Sequence, residues 1–167
     1  MLDKQYFFLS HTLGFAKQAH FKGIVPVGAL LCDDQHHIIA TSQNTVHSDV
    51  GLMHHAEMLL FLQQQQYLHE HQWESTLYCS YEPCMMCMST AIMNHIQTIV
   101  WACDDHWAGG SHTLQHESLY LTKNKIELIG SPFPDLQKES AQLIYEYFLR
   151  TNSSKIELVL GRQLNLL

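Results

Sequence analysis

The spacing of apolar residues changes from helical to strand-like early in the chain. In the opening segment they recur every three or four residues, which predicts an amphipathic helix that ends near Gly23. These apolar positions are Tyr6, Leu9, Leu13 and Ala16. Two β-rich runs follow at residues 27–32 and 36–40, and the acidic segment 33–35 between them predicts a hairpin.

The middle of the chain alternates between helical and strand patterns. The predicted elements are a helix over 56–68, a strand over 76–80, a helix over 84–94, strands over 98–102 and 126–129, and a helix that starts just after Pro134-Asp135. A strand, helix, strand order implies parallel neighbours with helices packed on the sheet. Since no linker or charge block interrupts the pattern, we expect one α/β domain over residues 1–167.

Composition places the chain among ordinary compact proteins. Hydrophobic residues make up 46% of it and charged residues 15%, without the bias typical of disorder. Sixteen acidic residues against nine basic ones leave a formal net charge of -7, which disfavours a partner held mainly through its phosphates. No apolar run reaches the roughly 18 residues of a membrane span, and the N-terminus does not resemble a signal peptide. We therefore expect a cytoplasmic location and no membrane partner.

The chain contains five cysteines, an odd number that does not suit a disulfide framework. Cys84 and Cys87 form a C-x-x-C motif, which is typical of a metal or redox site in a reducing compartment. The other three, Cys32, Cys79 and Cys103, lie in apolar segments, and we expect them in the core.

The chemistry of the chain centres on two motifs. His55-Ala56-Glu57 is followed, after 25 residues, by Pro83-Cys84-Met85-Met86-Cys87, and each motif lies at a predicted helix start. Three protein ligands, His55, Cys84 and Cys87, would leave the fourth position of a tetrahedral Zn²⁺ open to water, which is characteristic of a catalytic site. Glu57 need not bind the metal, and we expect it to transfer protons as the catalytic acid and base.

Other interpretations of the motifs remain open at this point. His54 could replace His55 as the ligand, although the His-Ala-Glu register favours His55. The C-x-x-C motif also occurs in thioredoxin-like redox pairs and in structural zinc sites. Neither alternative explains Glu57, and a closed structural site would need a fourth ligand, for which Cys79 or Cys103 is the nearest cysteine.

The pairing of His-Ala-Glu with Pro-Cys-x-x-Cys resembles the signature of the cytidine deaminase superfamily. The similarity extends to the first strand at 25–29, to Asn44 and to the segment from the strand at 76–78 to Glu82-Pro83. It covers residues 5–150 and leaves 151–167 as a C-terminal extension.

This resemblance implies a layered α/β/α domain with a mixed central sheet, a Zn²⁺ cofactor and a hydrolytic deaminase that replaces the amine of a base with oxygen. It also implies that Asn44 contacts the base or sugar and that the backbone near Gly28, Ala29 and Glu82 lines the pocket. Relatives with this short form are commonly oligomers, so a homodimer is implied as well.

The loop at 104–111 is the segment expected to influence the choice of substrate. Asp104 and Trp107 are candidate substrate contacts there, and an ordinary surface loop is the alternative. Its Ala-Cys-Asp opening and its Gly-Gly-Ser resemble tRNA adenosine deaminases, but His106-Trp107 replaces the lysine and threonine usual in those enzymes. The segment after Arg150 also lacks their basic cluster.

These departures and the acidic charge favour a free nucleobase or nucleoside as substrate, with pyrimidine, adenine and guanine all open. A tRNA adenosine deaminase that forms inosine is the alternative. A second alternative is a catalytically silent zinc-binding module, against which the presence of Glu57 argues.

Overall fold

The computed structural model describes residues 2–46, 51–114 and 119–151, so the C-terminal extension from residue 152 onward lies outside the described residues. The elements in chain order are α1 (Leu2–Phe21), β1 (Gly28–Asp33), β2 (Ile38–Gln43), α2 (Ala56–Gln63), α3 (Gln65–Glu70), β3 (Ser75–Cys79), α4 (Met85–Met93), β4 (Thr98–Trp101), α5 (Ser111–Leu114), α6 (Leu119–Asn124), β5 (Glu127–Gly130) and α7 (Pro134–Arg150).

The five strands form one sheet in the order β2-β1-β3-β4-β5. β1 pairs antiparallel with both β2 and β3, whereas β3, β4 and β5 run parallel to one another. The mixed sheet is therefore confirmed. Its antiparallel edge comes from the predicted hairpin, and its parallel half comes from the crossovers through α4 and through α5 and α6.

Helices cover both faces of the sheet because buried strand residues alternate in direction. Leu31 and Leu77 point to one face, where they join Leu60 of α2 and Met88 of α4 in one hydrophobic cluster. The neighbouring strand residues join a second cluster on the other face, formed with α1 and α7. Its members include Leu9, Leu13, Leu30, Tyr78, Val100 and Leu136. The layered α/β/α arrangement is thus confirmed, and Cys32, Cys79 and Cys103 are fully buried as expected.

Three features differ from the predicted elements. The helix predicted over 56–68 is interrupted at Gln64, whose φ of -113° and ψ of 22° are not helical. β2 begins two residues later than expected, because His36 adopts a φ of 68° in the turn after β1. The short helices α5 and α6 were not predicted, since segments of four and six residues are too short to show a helical periodicity.

One hydrogen bond joins helix α7 to the residue that follows β3, and a second joins that residue to β1. The Ser140 hydroxyl donates to the carbonyl of Ser80 at 2.5 Å, and the Ser80 hydroxyl accepts from the backbone N–H of Gly28 at 2.9 Å. Arg150 at the other end of α7 donates to the carbonyl of His20 at 3.1 Å. α7 therefore has a defined position beside the site described next.

Within the described ranges, no helix combines the length and the apolar character that crossing a membrane requires.

Candidate active site

The residues of both motifs lie at the starts of α2 and α4. His55 and Cys84 are the N-cap residues, with extended backbone (φ -64°, ψ 151° and φ -63°, ψ 169°). Glu57 and Cys87 lie in the first turns that follow. Because unpaired N–H groups give a helix start a partial positive charge, this position favours the thiolate and carboxylate forms of these side chains.

Three side chains converge between the two helix starts. His55 Nδ1 lies 3.6 Å from Cys84 Sγ and 3.5 Å from Cys87 Sγ, and the three atoms all lie within 4.8 Å of one another. Zn–N and Zn–S bonds of about 2.05 and 2.3 Å at a tetrahedral angle place nitrogen and sulfur about 3.6 Å apart. The spacing therefore fits a tetrahedral zinc ion with one position open.

The other candidate ligands that the sequence left open do not belong to this cluster. In the described part of the chain, the candidate metal-binding group contains His55 and not His54, and neither Cys79 nor Cys103 belongs to it. All five cysteines are free thiols. A closed structural site with Cys79 or Cys103 as fourth ligand therefore has no support in the geometry.

Hydrogen bonds among the ligands favour one thiolate before any metal binds. The Cys87 thiol and His55 stabilise the Cys84 thiolate, which lowers the pKa of Cys84 to about 4. The same bond raises the pKa of Cys87, because its thiol donates to Cys84. A cation bound between the three side chains would favour loss of the proton on the Cys87 thiol, since cysteines bind metals as thiolates.

Glu57 lies beside this cluster, with a carboxyl oxygen that is available for chemistry. The residue is 2% exposed, and its Oε2 has no hydrogen-bond partner among the described residues. Burial raises the pKa of Glu57 to about 7. A buried unpartnered carboxyl oxygen is costly unless a ligand or water meets it, so it marks a functional position.

A cavity of about 260 Å³ opens in front of the cluster. His55, Cys84 and Glu57 form its floor, while α7 and the loop after β4 contribute to its walls. Wall residues that contribute apolar or aromatic surface include Val25, Val27, Tyr81, Trp107, Ile144 and Phe148. The cavity therefore combines a metal-binding floor with walls suited to a flat, mainly apolar ring.

A family model for the cytidine and deoxycytidylate deaminase zinc-binding region matches residues 2–103. The chain belongs to this deaminase family. It is therefore a zinc-dependent hydrolase that removes amino groups from bases, and Zn²⁺ is its cofactor.

Individual relatives differ in the substrates that their descriptions state. The chain is 32% identical over 110 residues to a tRNA-specific adenosine deaminase of Bacillus subtilis (strain 168), across 65% of this chain and 68% of that protein. It is 28% identical over 162 residues to the tRNA-specific adenosine deaminase of Haemophilus influenzae, across 94% and 91%. The fold also matches a guanine deaminase from Nitrosomonas europaea, with a TM-score of 0.64 and 17% identity over 84% and 82%.

Three of the predicted substrate residues of this deaminase lie at the pocket, namely Asn44, Trp107 and Glu82. Asn44 is 4% exposed, and its amide donates to the Val25 carbonyl at 3.1 Å and accepts from the Val46 N–H at 3.0 Å. These two bonds hold the amide in place at the pocket wall. Trp107 lines the pocket and is 54% exposed, which leaves part of its indole free to contact a ligand.

Three other predicted contacts lie elsewhere. Gly28 and Ala29 do not line the cavity: a Cβ on Gly28 would collide with the Thr12 carbonyl of α1, and Ala29 is fully buried in the core. β1 therefore needs glycine for close packing against α1. Asp104 accepts a hydrogen bond from the Trp101 indole at 2.7 Å, and it is the next residue, Asp105, that lines the pocket.

Glu82 does reach the pocket wall, but its carboxyl oxygens are already in use. Oε2 accepts from the Asp105 N–H at 2.8 Å and Oε1 accepts from the Ser111 N–H at 3.0 Å. Its contribution is therefore to the structure of the loop after β4 rather than a free polar group.

Sequence reasoning missed the pocket residues of α7 and the exact aspartate of the loop. Ile144 and Phe148 are four residues apart on one face of α7, a spacing that equally indicates core packing. Asp104 and Asp105 are adjacent residues of the same type, so the sequence contains no local signal for which of them faces the pocket. In both cases the sequence contained the right segment, while the side-chain direction required the fold.

Proposed function

We propose that this deaminase converts adenosine to inosine in tRNA. The observation that supports this proposal is the near full-length similarity to the Haemophilus influenzae relative, which is described as specific for tRNA adenosine. The expectation of a free base or nucleoside, which the acidic charge favoured, is not confirmed and becomes the second candidate.

The proposed reaction replaces the C6 amine of adenine by oxygen from water and releases ammonia. His55, Cys84 and Cys87 would hold a zinc ion, which would supply Lewis acidity to the attacking water when bound. Glu57 accepts a proton from the attacking water and donates it to the ring nitrogen N1. It then transfers the second water proton to the departing amine, which leaves as ammonia, and the base retains a carbonyl and an N1–H.

The size of the cavity suits one base. Its volume of about 260 Å³ lies below the roughly 300–1,000 Å³ of pockets for drug-sized ligands. Within a polynucleotide, the target base would therefore leave its stack and enter alone, as in other base-modifying enzymes. Stacking on Trp107 and hydrogen bonding to Asn44 would hold the base, which keeps both residues as proposed substrate contacts.

A free nucleobase or nucleoside is favoured by a different observation. The described pocket wall includes the carboxyl groups of Glu57, Glu82 and Asp105 and contains no lysine or arginine. A polynucleotide bound at the rim would need basic side chains to neutralise its phosphates.

A paired assay separates the two candidates. Inosine formation is measured in an anticodon stem-loop that contains a target adenosine, and ammonia release is measured with adenine, guanine, cytosine and their nucleosides. We expect turnover of the stem-loop to exceed that of every small substrate, and we expect Glu57→Gln to reduce it about 10²- to 10⁴-fold. Efficient turnover of a free base or nucleoside without inosine formation would favour the second candidate.

A further inference from the structure

The loop over residues 105–111, here called the substrate loop, is joined to Glu82 at both of its ends. The Asp105 N–H opens the loop and donates to one Glu82 oxygen at 2.8 Å, whereas the Ser111 N–H closes it and donates to the other oxygen at 3.0 Å. Glu82 is 3% exposed, so little water competes for these bonds. Hydrogen bonds to a carboxylate are among the stronger ones in proteins.

The interior of the substrate loop is ordered by its own first residue. One Asp105 oxygen accepts from the Trp107 N–H at 2.9 Å and from the Ala108 N–H at 3.1 Å. Gly109 then passes so close to Glu82 that a Cβ at this position would collide with the Glu82 carboxyl group. The direction of Trp107 therefore depends on where Glu82 holds the loop.

The same loop contacts the segment that contains a zinc ligand. Gly110 N–H donates to the Pro83 carbonyl at 2.9 Å, and Met85 N–H donates to the Ala108 carbonyl at 3.1 Å. Between these two bonds, Cys84 and Gly109 form an antiparallel bridge. The substrate loop and the start of α4 thus share a short ladder, with Glu82 immediately before it in the chain.

We propose that Glu82 is a positioning residue that places Trp107 over the pocket by holding both ends of the substrate loop. It acts through the loop and does not itself contact the base. This inference rests on the proposed function, in which Trp107 contacts the base, and it extends that function by naming what sets the position of this contact.

The test is a double-mutant cycle with Glu82→Gln and Trp107→Ala, using the substrate that the paired assay identifies. The substituted side-chain amide would present its NH₂ group to one of the two loop N–H donors, so one end of the loop should detach. We expect Glu82→Gln to raise KM about tenfold or more while kcat changes much less. In the Trp107→Ala background the same substitution should add little, because coupled positions are not additive.

Hydrogen exchange provides a measurement that requires no substrate. In zinc-loaded Glu82→Gln, the amide of Asp105 or that of Ser111, whichever faces the new NH₂ group, should lose protection while the zinc content stays at one per chain. Ser111→Pro is a second variant: it removes one donor to Glu82 at a helix start, where proline is tolerated, and should raise KM in the same direction. Glu74→Gln, at an exposed glutamate, is the matched control and should change neither KM nor exchange.

Additive KM effects in the cycle would overturn the inference, because Glu82 would then act independently of Trp107. Unchanged exchange at both loop ends in Glu82→Gln would overturn it as well. A failure of the tRNA proposal would leave the exchange result intact, so the two proposals fail separately.

Discussion

At the scale of single residues, the position of a side chain relative to a helix start decides its chemistry. His55 and Cys84 precede their helices, while Glu57 and Cys87 lie in the first turns. Two thiols and a carboxyl group so close together would be unfavourable as three anions, and the partial positive charges of two helix starts reduce that cost. Glu57 is distinguished from the ligands by a buried carboxyl oxygen that has no hydrogen-bond partner among the described residues.

Replacing Glu57 by glutamine separates metal binding from proton transfer. Because glutamine has nearly the same shape but cannot exchange protons, we expect about one zinc per chain and activity reduced about 10²- to 10⁴-fold. Elemental analysis and ammonia release measure the two quantities, with Glu70→Gln as an exposed control. Activity close to that of the unmodified chain would assign the proton transfer to another group, Asp105 first.

At the scale of elements, the position of α7 determines part of the pocket wall. Ile144 and Phe148 line the cavity, and the N-terminal half of the same helix packs on the sheet through Leu136. The Ser140 hydroxyl adds to this connection by donating to the Ser80 carbonyl, and Ser140 is 1% exposed. A single buried hydroxyl thus joins the last helix to the end of β3.

Ser140→Ala should therefore destabilise the protein. It leaves the buried Ser80 carbonyl without this donor, and we expect the free energy of unfolding to fall by about 1–3 kcal/mol. Chemical denaturation measures the change. Ser10→Ala removes an exposed hydroxyl on α1 that bonds within its own helix, and it should change stability by less than about 0.5 kcal/mol. Equal effects of the two variants would contradict the proposed docking role.

At the scale of the whole molecule, the zinc site joins two helices that are distant in sequence. Residues 55 and 84 come from different crossovers of the sheet, and their shared ligand sphere connects α2 to α4. A metal that binds only the folded state stabilises that state by mass action. The homodimer implied by the resemblance stays a prediction, as does the assignment of residues 152–167 to the same domain.

Removal of zinc should lower the thermal stability of the entire chain. With free zinc at about 1,000 times its Kd, binding contributes about 4 kcal/mol, which corresponds to a rise in Tm of roughly 8–16 °C for a chain of this size. Thermal unfolding followed by circular dichroism, before and after chelation, measures this difference. Cys87→Ser should show a much smaller response, and an equal response in both proteins would exclude Cys87 as a ligand.

The sequence by itself determined the fold class and the reacting groups. Strand and helix periodicities predicted the order of elements, and the two motifs named His55, Glu57, Cys84 and Cys87, which the structure brings together. This was possible because each motif spans about one helix turn and can be recognised locally, although the fold brings the two motifs together. The substrate pocket has no such local motif, because its walls come from several distant segments.

Only the tertiary structure decided which of several residues adjacent in the chain faces the pocket. Alternation along β1 shows that successive side chains face opposite ways, but not that Gly28 lies against α1. The choice of Asp105 over Asp104 depends on the path of the loop, which Glu82 determines from 23 residues away. Phe148 enters the pocket because α7 packs beside it, a long-range contact that no local pattern encodes.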